Sequence, residues 1–356
     1  MLVTPCNLDS VTQHTHYKGN TRSYDITILD PAERTHRIEY TENTITEYII
    51  PSGTAISGSD SGHYFGVICD SNFYFGNPTK GNKVSRTASP FWKKFHPKKS
   101  LGTQIEFQIE DKPKHTFSDP VNLSFSLNAY WHWFNEDLPL FKYFRTNDHK
   151  IITNELSAWQ KESLEHLPDI RDRIVELATP CVVEAPEFHM FTKPDGTVGK
   201  NSAWTTEFLM DTFLPARSSQ DRKIYISRNK DAQARGVDNE DEVREFLGSQ
   251  GFEFYENFSE LSLQDKLDLL HSCQVVVSAT GANLSHVYAM RPGTKVVDFN
   301  HKFLLDTEHW YNNIGDTAGL KWITCGMETG SPAKRPKMKN NNLVVDIKLL
   351  GKALEL

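Results

Sequence analysis

Two stretches of this 356-residue chain end apolar runs in residue types suited to holding an anion. In VVVSATGAN (275–283) a β-branched run stops at Thr280, Gly281 and Ala282 and passes into a helical pattern from about Asn283 to Met290. In KIYISRNKDAQAR (223–235) a second apolar run stops at Arg228, with Arg235 following. If both runs are parallel strands, their carboxyl ends open onto one edge of a sheet, where ligands of open α/β sheets bind. Gly281 lets a ligand approach the backbone, a helix beginning near Asn283 presents about half a positive charge there, and Arg228 adds a two-pronged guanidinium. That combination suits a diphosphate. A Gly-Ala turn kept only for tight strand-to-helix packing is the alternative reading, and the two arginines favour the anion. No G-x-G-x-x-G lies at a strand-to-helix turn and no G-K-[ST] occurs, which argues against a dehydrogenase and a P-loop kinase.

The elements that must position these residues are legible in the same region. Lys223 to Ser227 reads as a strand; Asn239 with Glu242 reads as a capping box before a helix with Val243, Phe246 and Leu247 on its apolar face; Gly251 stops that helix. Phe252 to Tyr255 is the next strand, Ser262 with Asp265 caps a helix carrying Leu263, Leu267 and Leu270, and Val275 to Ala279 and Lys295 to Phe299 are strands again, the last after a Pro292-Gly293 turn. Alternating strands and helices imply a mainly parallel, doubly wound sheet. Upstream, NAYWHWFNEDLPLFKYF and QKESLEHLPDIRDRIVEL have helical spacing, with KIIT and CVVEA as strand candidates. Residues 22–110 alternate apolar and polar in short runs (SYDITILD, HRIEYTE, TEYIIP, HYFGVICD, FYFG), so the N-terminal portion is expected to be β-rich. The stretch 76–102, with turn formers and many Lys and Arg, reads as a surface connector, a local basic loop being the alternative.

Composition bounds the function. Hydrophobic residues make up 38% and the net charge is -7, which excludes a general nucleic-acid binder because phosphate affinity needs excess Lys and Arg. No window approaches the ~18 apolar residues of a membrane span, and the first residues lack the basic-then-apolar order of a signal peptide, so the chain is expected in the cytoplasm. Five scattered cysteines in no C-x-x-C arrangement imply neither a disulfide framework nor a zinc knuckle. His14 and His16 form an H-x-H that reads as an exposed polar tail, with a metal site as the alternative. Sequons at Asn122, Asn257 and Asn283 read as coincidental.

The run from KIYISRNKDAQAR through VREFLGSQGFEFYENFSELSLQDKLDLLHSCQVVVSATGANLSHVYAMRPGTKVVDF closely resembles the core of the family 61 glycosyltransferases, which include plant xylan-decorating transferases and eukaryotic O-linked N-acetylglucosaminyltransferases. YWHWFNEDLPLF is similar to that family's aromatic-His-aromatic segment leading to Leu-Pro, and WYNNIGDTAGLKW and NNNLVVDIKLLGKAL to its closing elements, so the resemblance spans about residues 45–355. It implies an α/β fold of GT-B type, two Rossmann-like domains facing a cleft behind a β-rich N-terminal portion. The expected divisions are 1–118 for that portion, 119–218 for the acceptor-side domain, 219–325 for the nucleotide-sugar domain and 326–356 for a segment with a closing helix. It further implies inverting transfer from a nucleotide diphosphate sugar, by family analogy a uridine one, to a glycan hydroxyl.

Carried onto this chain, Arg228 and Arg235 fall at family arginines, Glu240 at the acid of the Asn-Glu pair, Gly281 and Ala282 at the Gly-Ala of the His-Gly-Ala turn, and His132 and Glu136 at the upstream polar positions. Thr280 stands where the family usually has His, and Lys266 where it usually has Gln. With no Asp-x-Asp in the chain, no metal or other cofactor is expected, and Arg228, Arg235, Thr280, Gly281, Ala282 and Asn283 are expected to hold the diphosphate, supported by Glu240 and Ser285. His132 is the expected base, helped or replaced by Glu136 or Asp137; a His buried between two tryptophans as a core residue is the alternative. Arg235 has an alternative as well, a pair with Glu240 that holds the loop. The rival functional reading is a degenerate transferase that binds nucleotide or glycan without turnover.

Overall fold

The computed structural model describes residues 2–5, 12–42, 44–57, 65–69, 72–76, 105–106, 113–124, 129–178, 181–191, 202–214, 221–228, 235–306, 311–332 and 341–356. The basic stretch 77–102, residues 229–234 and Trp310 lie outside them. The chain divides into two compact units, 1–20 with 42–198 and 21–41 with 199–356.

The second unit is built on a largely parallel sheet. Taken in chain order, Arg222–Ile226, Glu253–Tyr255, Cys273–Ala279, Lys295–His301 and Lys321–Thr329 lie side by side as 2-1-3-4-5, all parallel. Continuous β-branched runs such as VVV and KVV suit strands covered on both faces. Alternation along each strand sends Tyr225, Val277, Val297, Phe299 and Cys325 into one buried cluster, together with Val243 and Leu247 of the helix Glu240–Ser249 and Leu349, Leu350 and Ala353 of the helix Ile347–Glu355. The helices Leu263–His271, Ala203–Phe213 and Asn312–Thr317 gather instead around the short turn Val287–Ala289. An N-terminal hairpin, Thr21–Asp30 with Ala32–Thr41, extends this sheet: its first strand runs parallel to Lys321–Thr329. Nothing in the local pattern of SYDITILD signals that long-range partner.

Several local expectations hold for stated reasons. Ser262 Oγ accepts from the Asp265 backbone N–H (3.0 Å) and starts its helix. Gly251, at φ 78, ends the helix before it, with the Phe252 amide bonded back to the Leu247 carbonyl. Asn239 departs from expectation. It sits at the cap position and Nδ2 donates to Glu242 Oε2 (3.1 Å), but it caps no helix amide; it clamps Val345 from both sides, Oδ1 accepting from the Val345 amide (2.8 Å) and Nδ2 donating to its carbonyl (2.9 Å). The tertiary pair of bonds takes the place of a bond to the helix amides, while the local contact to Glu242 remains.

A larger correction concerns residues 283–290. No continuous helix forms there; the chain makes two 3₁₀ turns, Ala282–Leu284 and Val287–Ala289, separated by Ser285 and the inward-facing His286. So short a pair of turns carries no helix macrodipole, and that part of the expected anion seat is absent.

The first unit has its own mixed sheet. Ile174–Leu177, Lys150–Asn154, Val121–Leu123 and Val182–Phe191 are parallel neighbours, and Val182–Phe191 pairs antiparallel with the long strand Ile45–Ser57. IVEL, read as part of a helical stretch, is thus a strand; the helix Ala158–Leu164 stops ahead of it and Pro168 opens only a short further turn. Thr12–Tyr17 is not a tail either: it pairs with Ile45–Ser57, and His16 bonds Glu47 (2.8 Å). Asn122, one of the three sequons, is wholly buried and bonded to Asn147. Cys181, Cys273 and Cys325 are buried free thiols. Among the described residues no helix is long and apolar enough to cross a membrane.

Candidate active site

In the order 2-1-3-4-5 the strand sequence reverses between the first and third strands, Arg222–Ile226 and Cys273–Ala279, and ligands of such sheets bind in the crevice at the carboxyl ends flanking that point. Those ends carry Ser227-Arg228 and Thr280-Gly281-Ala282. The structure brings them together. The Arg228 guanidinium lies directly on the Gly281 backbone, so that a Cβ built at 281 would overlap it, its Nη2 standing only 2.8 Å away. Gly281 is therefore a glycine because of a close approach, and the approaching group is a cation. Beside it Asn283 Nδ2 donates to the Ser227 carbonyl (3.4 Å), and the Thr280 amide donates to the Phe299 carbonyl (2.9 Å), tying the turn to the strands on both sides. Ala282 and Asn283 remain partly exposed.

The other expected residues of this unit fall into place less uniformly. Arg235 is half-buried, adopts the left-handed backbone at φ 62, and its buried Nε has no hydrogen-bond partner among the described residues. It immediately precedes Gly236 and Val237, which are fixed to Asn342 and Leu343. Glu240 opens its helix and accepts from the Tyr225 hydroxyl (3.1 Å). Ser285 is fully buried, its hydroxyl unpartnered among the described residues. His286 is also fully buried, 3.2 Å from the Tyr288 hydroxyl, and burial, aided by the charge of Lys266, pushes its imidazole down to about 3. Lys266 itself is buried and donates to the Ser259 carbonyl (3.1 Å).

One buried acid escaped sequence reasoning. Asp298, in the middle of an apolar strand, accepts from Trp322 Nε1 (2.8 Å) and Thr324 Oγ1 (2.6 Å), and burial raises its carboxyl to about 6. A lone acid within KVVDFN was the available signal, since an ionisable group in such a run needs partners. A separate depression lined by Asp221, Arg222, Lys223, Gln250, Gly251 and Glu253 lies at the amino-terminal ends of two strands, where Arg222 pairs with Glu253; that is the wrong end for a ligand of this fold.

The first unit holds the remaining expected residues. Tyr130–His132 is one helical turn, Trp133–Asp137 a π-helical turn and Leu138–Leu140 a 3₁₀ turn. Pro139 supplies the cause: it has no N–H and its ring would collide with the carbonyl four residues back, so the α-helical ladder cannot continue. In this widened turn His132 Nδ1 lies 2.7 Å from Glu136 Oε1, the imidazole part-exposed and the carboxylate buried. The buried indoles on either side belong to Trp131, which meets His132 edge-on, and Trp133, whose Nε1 donates to Ser163 Oγ (2.9 Å). Asp137 is buried. His132 is thus a part-exposed partner of a buried acid, not a core residue.

A family model described as Glycosyltransferase 61 matches residues 130–297. The matched stretch begins with the His132 segment and ends in the strand after the Gly281 turn, so it takes in both clusters; it is shorter than the 45–355 over which the sequence resembles the family. No curated protein matches the chain significantly. The family whose motifs the sequence resembles is thus the one whose model matches, over residues 130–297.

Proposed function

We propose that the protein transfers a sugar from a nucleotide diphosphate donor, a uridine one, to a glycan hydroxyl with inversion, using side chains and backbone amides in place of a metal. The observation that carries this reading is the Arg228 guanidinium seated on Gly281 at the point where the strand order reverses. A diphosphate entering that crevice meets a cation and the turn's backbone at once. Arg235, whose buried Nε has no partner among the described residues, supplies a second cation, and Thr280 and Asn283 supply a hydroxyl and an amide. Glu240 holds the helix start and Ser285 the base of the turn. A GT-B arrangement of two Rossmann-like domains is the fold that the family implies for this chemistry.

In the reaction the acceptor oxygen attacks the anomeric carbon as its proton passes to a base, while the bond from that carbon to the diphosphate oxygen breaks. The charge gathering on the leaving diphosphate is met by the guanidinium groups, which are already in position before the step begins. His132 is the base in this reading. A carboxylate only accepts, so Glu136 fixes the proton on Nδ1 and leaves Nε2 to receive one, with Asp137 as a carboxylate substitute.

Initial rates of donor turnover with a glycan acceptor test the assignment. His132→Ala removes the limb of the pH profile that depends on the base, and Glu136→Gln lowers turnover with little change in KM. An unchanged profile in His132→Ala contradicts the role. Binding of uridine diphosphate without release of diphosphate from any sugar donor would identify a binding module instead of an enzyme.

A further inference from the structure

We propose that His149, Glu187 and His189 of the first unit form a binding site for a divalent transition-metal ion of the zinc type. Their ligand atoms all lie within 4.8 Å of one another. Glu187 and His189 are two apart on the strand Val182–Phe191 and so project from the same face, while His149 comes from the loop before Lys150–Asn154. That loop is held in place. Arg173 donates to the His149 carbonyl (2.7 and 3.0 Å), Asn122 Nδ2 reaches the same oxygen (3.4 Å), and the His149 amide donates to Asn147 Oδ1 (3.2 Å).

A second observation points to a metal and not merely to a polar cluster. A histidine that ligates a metal usually gives its other ring N–H to a carboxylate, which fixes the ring and raises its basicity. His189 Nδ1 lies 2.7 Å from Oε1 of the buried Glu47, whose Oε2 is in turn held by His16 Nε2 at 2.8 Å. This directs His189 Nε2 at Glu187 Oε1, 2.8 Å away, and places the His149 ring against that of His189, centroids 4.8 Å apart. Two imidazoles and one carboxylate are a zinc ligand set that leaves a fourth position for water. Ligands of a tetrahedral zinc ion stand about 3.4 Å apart, so small side-chain rotations close the cluster. His149 and Glu187 are part-exposed and give the ion a way in, whereas His189 is buried. On binding, the ion replaces the proton shared by His189 Nε2 and Glu187, and that proton leaves to solvent. The other charged groups facing His149 are Asp148 and Arg173, the latter engaged with the backbone carbonyl. The available sequence signal was E-x-H in PEFHM, an acid and an imidazole on one strand face.

This inference is independent of the proposed transfer reaction, because it is read by metal binding alone. The test is calorimetric titration of the tag-free, chelator-treated full chain with zinc chloride, with bound zinc counted by elemental analysis. One zinc per chain is expected, weakened at least tenfold in His149→Ala and in Glu187→Gln and by about 10- to 100-fold in Glu47→Gln, with His14→Ala unchanged. Glu187→Gln preserves side-chain shape and decides the matter if the alanine variant fails to fold. Absence of stoichiometric zinc in the folded wild type, or equal affinity in Glu187→Gln, would overturn the site and leave His189 as a histidine bridging two carboxylates.

Discussion

Arg228 occupies the space that any side chain at position 281 would need, and this single steric fact links a strand end to a turn. Gly281→Ala should move the flexible guanidinium off its seat and also strain the turn, because φ 157 with ψ -174 is a backbone conformation open essentially to glycine. Thermal denaturation of that variant should fall by several degrees, the strain costing about 1–3 kcal/mol, while its affinity for uridine diphosphate falls about tenfold or more. Retained affinity would mean that the guanidinium does its work elsewhere. Two buried ionisable groups give the residue scale a pH signature. Asp298 holds its proton to about 6, so between the ordinary aspartate range and that value the folded chain carries a proton the unfolded chain has lost; stability declines as pH rises through this window. His286, neutral down to about 3, has the opposite sign: its contribution is complete above the ordinary imidazole range and is lost as pH falls. Asp298→Asn should therefore become more stable relative to wild type at pH 7 than at pH 4. Parallel denaturation midpoints at both pH values would show that this carboxylate is not burdened by burial.

At the scale of elements, local rules succeeded where local partners decide and failed where distant ones do. The Ser262 cap and the Gly251 stop were legible because each is completed within a few residues. Asn239 sits in the same kind of motif, yet Val345 claims both ends of its amide, a contact no short window contains. Asn239→Ala is expected to cost about 1–3 kcal/mol, more than loss of a surface polar group, because it frees the segment that precedes the closing helix. A midpoint change typical of an exposed site would refute that clamp. Residues 283–290 show the converse failure: their spacing is helical, but the chain makes two 3₁₀ pieces with Ser285 and His286 buried between them. The anion seat consequently rests on side-chain cations and a bare backbone turn, not on a helix end. The stretch YWHWFNEDLP was read as helical in spacing, and nothing in it foretold a π turn that sets His132 beside Glu136.

On the scale of the whole molecule, the parallel sheet of the second unit was legible in the sequence, since strands and helices alternate visibly from Lys223 to Phe299, whereas its order 2-1-3-4-5 came from the structure. The hairpin 21–41 was read as β structure but not as part of that sheet, for its pairing with Lys321–Thr329 joins segments far apart in the chain. The chemistry was legible to a similar degree. Arg228 and the Gly281 turn were recognisable as ends of neighbouring strands, while the His16, Glu47 and His189 network draws on three separated segments and left almost no local trace. All of the proposed activity depends on whether the strand-end crevice of the second unit holds a nucleotide diphosphate. Calorimetric titration with uridine diphosphate, without added metal, on wild type and Arg228→Ala measures this most directly. Saturable one-to-one binding that weakens about 10- to 100-fold in the variant is the predicted result; equal binding by both proteins, or none by the wild type, would contradict it.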